Sequence, residues 1–577
     1  MRLALLSLLT ICFSSVFGQT SIICTNAIAE NVMVGDYDPA DYAATDIIDD
    51  HDEIIHGIQE RINPDSLKSY LMQLSAFGNR NTGSDTVSDV FGMGATRRWA
   101  HAFFETVSAE NDNRLLPGYL QFNQTICGMT QHRNVIAVLP GSSPEDHEVI
   151  LIEGHVDSRC AGACDTECDA HGMEDNGSGS ALVLELARVM SKYTYENTIV
   201  FMLTTGEEQG LFGANAFSQF CVDENIPIKG VLNNDVIGGI ICGETSSAPS
   251  CPGLNEIDST QVRFFTEGGF NSKHKQLARF IKLQYKEELL PLVTVPMQLT
   301  VMSAEDRAGR GGDHIPFRQD GYRAMRFTSA HEHGDAGVGG DYHDRQHTSD
   351  DILGVDTDGD TELDSFFVDF NYLARNAVIN GVGASMMAIG PKTPDFRIET
   401  FDGPGIIVRI SEETGYDQYR VGLRTETNDW DSVYVLDGVL DTIYPPETDN
   451  YIISVASVDE FGIESLFSHE IAFLNSELSL EENESVAQPF ELLQNRPNPF
   501  DEATIIGVKL SRDIDYEKAF IVIHDLEGKE LEQLPIELSG EMNEVLYRHG
   551  YGQIGTFIYS LVIDGKVEAS RRMIFAN

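Results

Sequence analysis

Between residues 56 and 390 the chain alternates two patterns. Residues 134–139, 149–153, 198–203, 230–232 and 322–327 are short, nearly continuous apolar runs, as expected of strands buried on both faces. Residues 97–107, 180–193 and 366–388 carry apolar positions at helical spacing, and Gly390-Pro391 ends the last of them. Strands alternating with helices predict a three-layer α/β/α sandwich with a mixed, mainly parallel central sheet. After Pro394 the period becomes two. Residues 396–474 alternate apolar and polar, as in Tyr419-Arg420-Val421-Gly422-Leu423, with a turn about every ten residues, which predicts a small β-sandwich. A polar, acidic stretch follows at 475–488. Strand patterns then resume at 505–510, 520–524 and 556–563 and predict a second small β-sandwich.

At the other end, residues 36–53 hold eight acids and no Lys or Arg and read as a solvated, poorly ordered lead-in. Residues 3–17 are mostly apolar, Arg2 precedes them, and Val16-Phe17-Gly18 supplies small residues for cleavage after Gly18, the layout of a secretory signal peptide. The expected units are therefore a signal peptide (1–18), the acidic lead-in (19–55), the α/β domain (56–394), a first β domain (395–474), a linker (475–488) and a C-terminal β domain (489–577).

The 577 residues exceed what one core supports. An apolar share of 42% and a charged share of 23% exclude a wholly disordered chain. Beyond the N-terminus nothing approaches the roughly 20 apolar residues that span a bilayer, so no transmembrane segment is expected. The net charge of −52 excludes nucleic acid as a partner, because it repels phosphate. It suits a soluble protein in a medium whose salt screens the repulsion. Past residue 18 eight cysteines remain: Cys24, Cys127, Cys160, Cys164, Cys168, Cys221, Cys242 and Cys251. Export favours disulfides, with Cys242 and Cys251 expected as a local pair. Cys160, Cys164 and Cys168 have zinc-like spacing but lack a fourth ligand nearby, which favours loop-stapling disulfides over a metal.

Five segments place metal ligands near the ends of expected strands. In Glu153-Gly154-His155-Val156-Asp157 the His and the Asp share one side of an extended chain, so the Asp is expected to accept the second imidazole N–H. In Glu174-Asp175-Asn176-Gly177-Ser178-Gly179 a carboxylate able to bridge two cations precedes a helix. Glu207 and Glu208 repel one another unless a cation or proton compensates. Asn234-Asp235 ends the fourth strand, and His347-Thr348-Ser349-Asp350-Asp351 follows the fifth. Singly each pattern is ordinary; in this order on consecutive strands they suit two zinc ions.

These segments, over roughly residues 60–390, resemble the co-catalytic di-zinc peptidase family of bacterial leucyl aminopeptidases and glutamate carboxypeptidases. The resemblance implies that His155 and Asp235 hold one zinc, that Glu208 and His347 hold the other, and that Asp175 bridges them. Glu207 is implied as general base and Asp157 as the residue orienting His155; Asp313-His314 matches a further structural stretch. Zinc would activate water and polarise the scissile carbonyl, while Glu207 moves the proton to the leaving amine. Where the best-known aminopeptidases of this type carry a Tyr before the last His, this chain has Gln346, so oxyanion help is open between Gln346, Tyr342 and zinc. His331, His333 and His343 are alternatives to His347, whose His-Thr-x-x-Asp context favours it. His171 reads as a loop or pocket residue. Asp356, Asp358, Asp360, Glu362 and Asp364 resemble a calcium loop without its sixth-position glycine and read as a solvated turn.

Residues 396–474, with Trp430, resemble a fibronectin type III module, expected as a spacer. Gln494-Asn495-Arg496-Pro497-Asn498-Pro499-Phe500, with Arg571-Arg572 near the end, resembles the C-terminal sorting domain of the type IX secretion system. That resemblance implies a bacterial cell-surface or secreted protein, partnered by the type IX machinery. The expected function is an exported zinc exopeptidase acting on peptides, an aminopeptidase first. A carboxypeptidase of the same family, a glutaminyl cyclase and a non-catalytic surface binding protein are the alternatives.

Overall fold

The computed structural model describes residues 19–575 except 145–146, 242–256, 308–309, 331–344, 400–404, 413–414, 426–428, 446–449, 474–489, 501–502, 511–515, 517, 525–529, 541 and 550–554. The signal-peptide reading, the Cys242–Cys251 pair, the linker and the residues His331, His333, Tyr342 and His343 lie outside the described residues.

The α/β unit is built on β1 (Thr20–Cys24), β2 (Leu116–Ile126), β3 (Met129–Leu139), β4 (Val149–His155), β5 (Thr198–Thr204), β6 (Ile228–Asn234), β7 (Gln261–Phe265), β8 (Gln298–Val301) and β9 (Ala324–Ser329). They form one nine-stranded sheet in the order β1-β2-β3-β5-β4-β6-β9-β7-β8. The central run β5-β4-β6-β9 is wholly parallel, whereas β1, β2 and β3 pair antiparallel on one flank and β7 runs against β9 on the other. Every residue of β4, β5 and β6 is buried, as continuous apolar runs require.

Two cores, one on each face of the sheet, make the three layers. One gathers α2 (His51–Arg61), α3 (Pro64–Ala76), α4 (Gly92–Ala109), α5 (Ser178–Met190), α7 (Lys273–Gln284) and α9 (Phe370–Ile389). The other gathers α1 (Ala27–Met33), α6 (Phe212–Asp223) and α8 (His314–Gln319). Among the described residues no helix is long and apolar enough to cross a membrane.

The acidic lead-in is ordered, contrary to the sequence expectation. β1 pairs with β2, placing Thr20 opposite Asn123 and Cys24 opposite Leu120, and Ala29, Val32 and Met33 of α1 are fully buried. Several of its acids are caps: Asp38 accepts the N–H of Ala40 at 3.0 Å, and Asp50 accepts that of Glu53 at 3.0 Å at the start of α2. A carboxylate at such a position satisfies a helix N–H and faces the positive end of the dipole, so a run of acids here specifies helix starts rather than disorder.

β10 (Gly354–Val355) and β11 (Ser365–Phe366) pair around the acidic turn, where exposed Asp356 accepts the N–H groups of Asp358, Gly359 and Thr361. The first β domain comprises β12 (Asp395–Glu399), β13 (Ile406–Glu412), β14 (Gln418–Arg424), β15 (Ser432–Asp437), β16 (Leu440–Ile443), β17 (Tyr451–Val458) and β18 (Ile471–Phe473). Two antiparallel sheets, β12-β13-β16 and β15-β14-β17-β18, enclose a core containing Val408, Val421, Leu436, Ile453 and Val455.

The first β domain is docked on the α/β unit. Glu470, buried, accepts from Arg279 of α7 at 2.9 Å, from Arg424 at 2.6 and 2.8 Å, and from the N–H of Asn271 at 2.6 Å. Leu466 and Phe467 belong to the α/β core, and Trp430 lies on Phe467 with ring centroids 4.0 Å apart. Trp430 is thus a docking residue and not part of the sandwich core.

The C-terminal domain comprises β19 (Phe490–Leu492), β20 (Ala503–Leu510), β21 (Ala519–His524), β22 (Glu530–Pro535), β23 (Met542–Arg548), β24 (Gly555–Ile563) and β25 (Lys566–Phe575). Sheets β19-β20-β23 and β22-β21-β24-β25 again sandwich a core of their own. The Asn-Arg-Pro-Asn-Pro-Phe stretch is woven into it. Asn495 takes the Tyr559 hydroxyl on its N–H at 2.9 Å, Asn498 accepts the N–H of Ile574 at 2.7 Å, and Phe500 is buried.

Candidate metal centre

The parallel run β5-β4-β6-β9 brings the C-terminal ends of its strands to one edge of the sheet, where open α/β sheets hold their sites. β4 ends on His155, β6 is followed directly by Asp235, and the turn after β5 carries Glu207 and Glu208. His155 Nε2 lies 3.1 Å from Asp175 Oδ1, 3.3 Å from Asp235 Oδ1 and 4.0 Å from Glu207 Oε2. His347 Nε2 lies 3.1 Å from Asp175 Oδ2 and 3.2 Å from Glu208 Oε2. Asp175 thus offers one oxygen to each imidazole.

The backbone around Asp175 is held from below. Asp351 Oδ1 accepts the N–H of Glu174 at 2.8 Å and Oδ2 that of Asp175 at 3.0 Å. Asn176 donates to the Asn234 carbonyl at 2.8 Å and accepts from Gly179 at 2.9 Å, joining the loop to β6 and to the start of α5. A Cβ on Gly179 would meet the Asn234 oxygen at 2.0 Å, so only glycine permits this approach.

Asp157 differs in detail from the expectation. The partner of His155 Nδ1 is the main-chain carbonyl of Asp157, at 3.0 Å; the Asp157 carboxylate is 3.8 Å away. That carboxylate instead accepts the N–H groups of Glu207 and Glu208, each at 3.3 Å, and the Thr82 hydroxyl at 3.1 Å. The chain turns at once on leaving β4, so the carbonyl reaches back to the ring while the side chain crosses to the turn after β5. Asp157 therefore fixes both the tautomer of His155 and the carboxylate pair.

Three arginines escaped the sequence reading. Arg326 donates to Asp235 Oδ2 at 3.1 Å and to Asp306 at 2.7 and 2.9 Å. Arg159 Nε lies 2.8 Å from Glu208 Oε2, and its Nη2 lies 2.7 Å from His347 Nδ1. Arg80, fully buried, donates to the Val156 and Gly172 carbonyls at 2.9 Å each, bracing the segment between β4 and Asp175. Arg326 has a sequence signal, a charge inside an apolar strand; Arg159 and Arg80 have none.

Burial, reinforced by Asp235 and Glu208 and opposed by His155, holds the Glu207 carboxyl well above the usual carboxylate range. Burial also lifts Asp157 to about 6 and Asp313, which accepts the Thr204 hydroxyl, to about 7. A crowd of carboxylates and imidazoles this deeply buried calls for cations. Two ligand atoms on one tetrahedral zinc lie roughly 3.3 Å apart, which the 3.1–3.3 Å separations around each imidazole match. The donor set fits zinc.

Elsewhere, His171 Nδ1 is held by the Ser75 carbonyl at 2.9 Å. Buried Gln346 accepts from Arg310 at 3.5 Å. Cys127–Cys164 and Cys160–Cys168 are disulfides, as the export reading expects and the zinc alternative does not.

A probable zinc metalloprotease of Pyrenophora tritici-repentis is 31% identical over 357 residues, 59% of this chain and 78% of that protein. The chain belongs to peptidase family M28. The model of that family matches residues 134–362, the stretch that carries all seven site residues. As an M28 member it is a zinc metallopeptidase. A probable zinc metalloprotease of Pyricularia oryzae is 33% identical, over 59% of this chain and 67% of that protein. Among solved structures, the LapA aminopeptidase of Legionella pneumophila is 20% identical with a TM-score of 0.42, covering 60% of this chain and 77% of its own. Glutaminyl cyclase of Porphyromonas gingivalis is 16% identical with a TM-score of 0.38, covering 56% and 97%.

Proposed function

We propose that this M28 chain is an exported exopeptidase that uses two zinc ions and acts as an aminopeptidase on peptides. One observation carries the two-metal reading: the Asp175 carboxylate turns one oxygen to His155 and the other to His347, at 3.1 Å each. His155, Asp235 and Asp175 would hold one ion, and His347, Glu208 and Asp175 the other. When bound, zinc supplies a polarised scissile carbonyl and a water acidic enough to lose its proton near neutrality.

The chain's own residues do the rest. Glu207 is the carboxylate of the cluster left over from these two ligand sets, 4.0 Å from His155 Nε2. It takes the water proton on its carboxylate and passes the proton to the departing amine. The backbone hydrogen bonds from the 207–208 turn to Asp157 hold that carboxylate in place. Arg159 is the specific feature behind the carboxypeptidase alternative, since a guanidinium is able to fork to a terminal carboxylate.

Export is supported by the N-terminal pattern and by two disulfides, which persist in oxidising compartments. The Asn-Arg-Pro-Asn-Pro-Phe stretch supports passage through the type IX machinery, and the two-sheet domain at 395–474 is read as fibronectin type III-like.

The decisive experiment is hydrolysis of free-amino, N-blocked and C-terminal-Glu peptides by the purified protein, with and without a chelator. Chelator-sensitive cleavage of free-amino peptides alone is the expected result. Cleavage of blocked peptides from the C-terminus would overturn the aminopeptidase reading. Turnover confined to cyclisation of N-terminal Gln would establish the cyclase, and silence with zinc bound would establish a binding protein. Mass spectrometry of the secreted form tests cleavage after Gly18 and loss of the C-terminal domain.

A further inference from the structure

Both carboxylates assigned as single-metal ligands have an arginine partner, and the two pairings differ. At Asp235, Arg326 takes Oδ2 and leaves Oδ1 facing His155. Arg326 is 1% exposed and anchored by both oxygens of Asp306, so it has nowhere to go. At Glu208, Arg159 Nε takes Oε2, the very oxygen that faces His347 Nε2, while Oε1 has no hydrogen-bond partner. The guanidinium also places Nη2 2.7 Å from His347 Nδ1. An imidazole that gives Nε2 to a metal carries its proton on Nδ1 and needs an acceptor there. Arg159 offers only donors, so its pose and a metal-bound His347 exclude one another. Its third nitrogen, Nη1, has only long contacts of 3.4 Å with the Cys160 and Ala161 carbonyls, and its side chain is 20% exposed, which gives it a way out.

We propose that Arg159 is an internal cation standing in for the second zinc at Glu208 and His347, so that the two metal positions load in order. The position at His155 and Asp235 fills first. The one at Glu208 and His347 fills only as the guanidinium swings away. The inference rests on the two-metal reading above. The Cys160–Cys168 disulfide holds the main chain next to Arg159, so the exchange is a side-chain movement. Removing a unit charge this close to a ligand oxygen strengthens binding of a dication at that position by at least about tenfold.

The test is calorimetric titration of the full chain, stripped by chelator and checked for folding by circular dichroism, with zinc ions alone as the probe. Wild type should bind two zinc ions in a tight and a weak step. Arg159→Met should tighten the weak step by about tenfold or more and leave the tight step unchanged, while Arg159→Lys, which keeps the charge, should stay near wild type. Two steps that Arg159→Met leaves unmoved would overturn this inference and spare the two-metal reading; uptake of one ion in total would overturn both. A measurement on wild type needs no variant. Phenylglyoxal labelling of Arg159, read by peptide mass spectrometry, should be slow in the stripped protein and faster with two zinc equivalents. Equal labelling in both forms would overturn the exchange.

Discussion

The carboxylate of Asp351 grips the backbone of Asp175, accepting its N–H at 3.0 Å and that of Glu174 at 2.8 Å. The two residues are far apart in sequence, and the fourth residue after His347 fixes the loop that carries Asp175. Asp351→Asn replaces an acceptor by a donor facing those N–H groups. Loss of such support behind a ligand typically costs 10–100-fold in metal affinity or activity. We expect zinc affinity and kcat/KM to fall together by about that factor; a variant with wild-type zinc affinity would show that Asp175 is positioned by other means.

Glu207→Gln keeps the size of the side chain and removes the base. On the order of 10²–10⁴-fold should be lost from kcat, with zinc content per chain unchanged by elemental analysis. Loss of one zinc would instead make Glu207 a ligand, a role within reach of its position 4.0 Å from His155 Nε2.

Glu470 sits between Arg279 and Arg424 at the junction of the α/β unit and the first sandwich. Glu470→Ala leaves two buried guanidinium groups without their common partner, and breaking a buried pair in this way costs about 3–5 kcal/mol. Urea denaturation should register that loss, and limited proteolysis should begin to cut within 395–474. Unaltered stability would leave the sandwich in the role of a spacer.

Two buried imidazoles oppose the fold in acid. Burial, aided by Lys273 and Arg318, lowers His274 to about 3, and its Nδ1 accepts the N–H of Ala324 at 3.2 Å. Unfolded, the same ring takes its proton near pH 6.5. Below that pH the unfolded state binds a proton that the folded state refuses until about pH 3, so stability is level above 6.5 and falls as pH falls through that window. His314, lowered to about 4 by burial, adds to the effect. In the metal-free protein His274 itself should remove about 2 kcal/mol of stability between pH 7 and 5, a contribution read as the difference in urea midpoint between wild type and His274→Gln across that range. His274→Gln should therefore gain on wild type as pH falls from 7 to 5, and a midpoint difference that does not change with pH would refute the assignment.

The sequence was most legible where burial is symmetric. β4, β5 and β6 are apolar runs covered on both sides, and their ends announce His155, Glu207, Glu208 and Asp235. β1, β7 and β8 lie toward the sheet's flanks and were not anticipated. β1 is half-exposed, β7 carries buried Arg263 and β8 has four residues, so none shows a clean period. Residues 36–53 misled because acid-rich composition and helix capping look alike until the capped N–H groups are known. The ligands were recognisable as types in an order, whereas Arg159, Arg326 and the grip of Asp351 arise from tertiary approach and leave no mark on neighbouring residues. Asp157 was recognised, but which of its oxygens meets His155 depends on a turn that spacing does not specify.

Cys127–Cys164 ties the segment that starts at Arg159 to the β2–β3 turn, Cys160–Cys168 closes a loop within that segment, and Asn79 and Asn81 bind the carbonyls of Cys168 and Ala163 across it. A chain not yet oxidised has every ligand yet lacks these pins, so the wall of its catalytic centre is slack. Turnover assayed with and without a thiol reductant is expected to be lower with it.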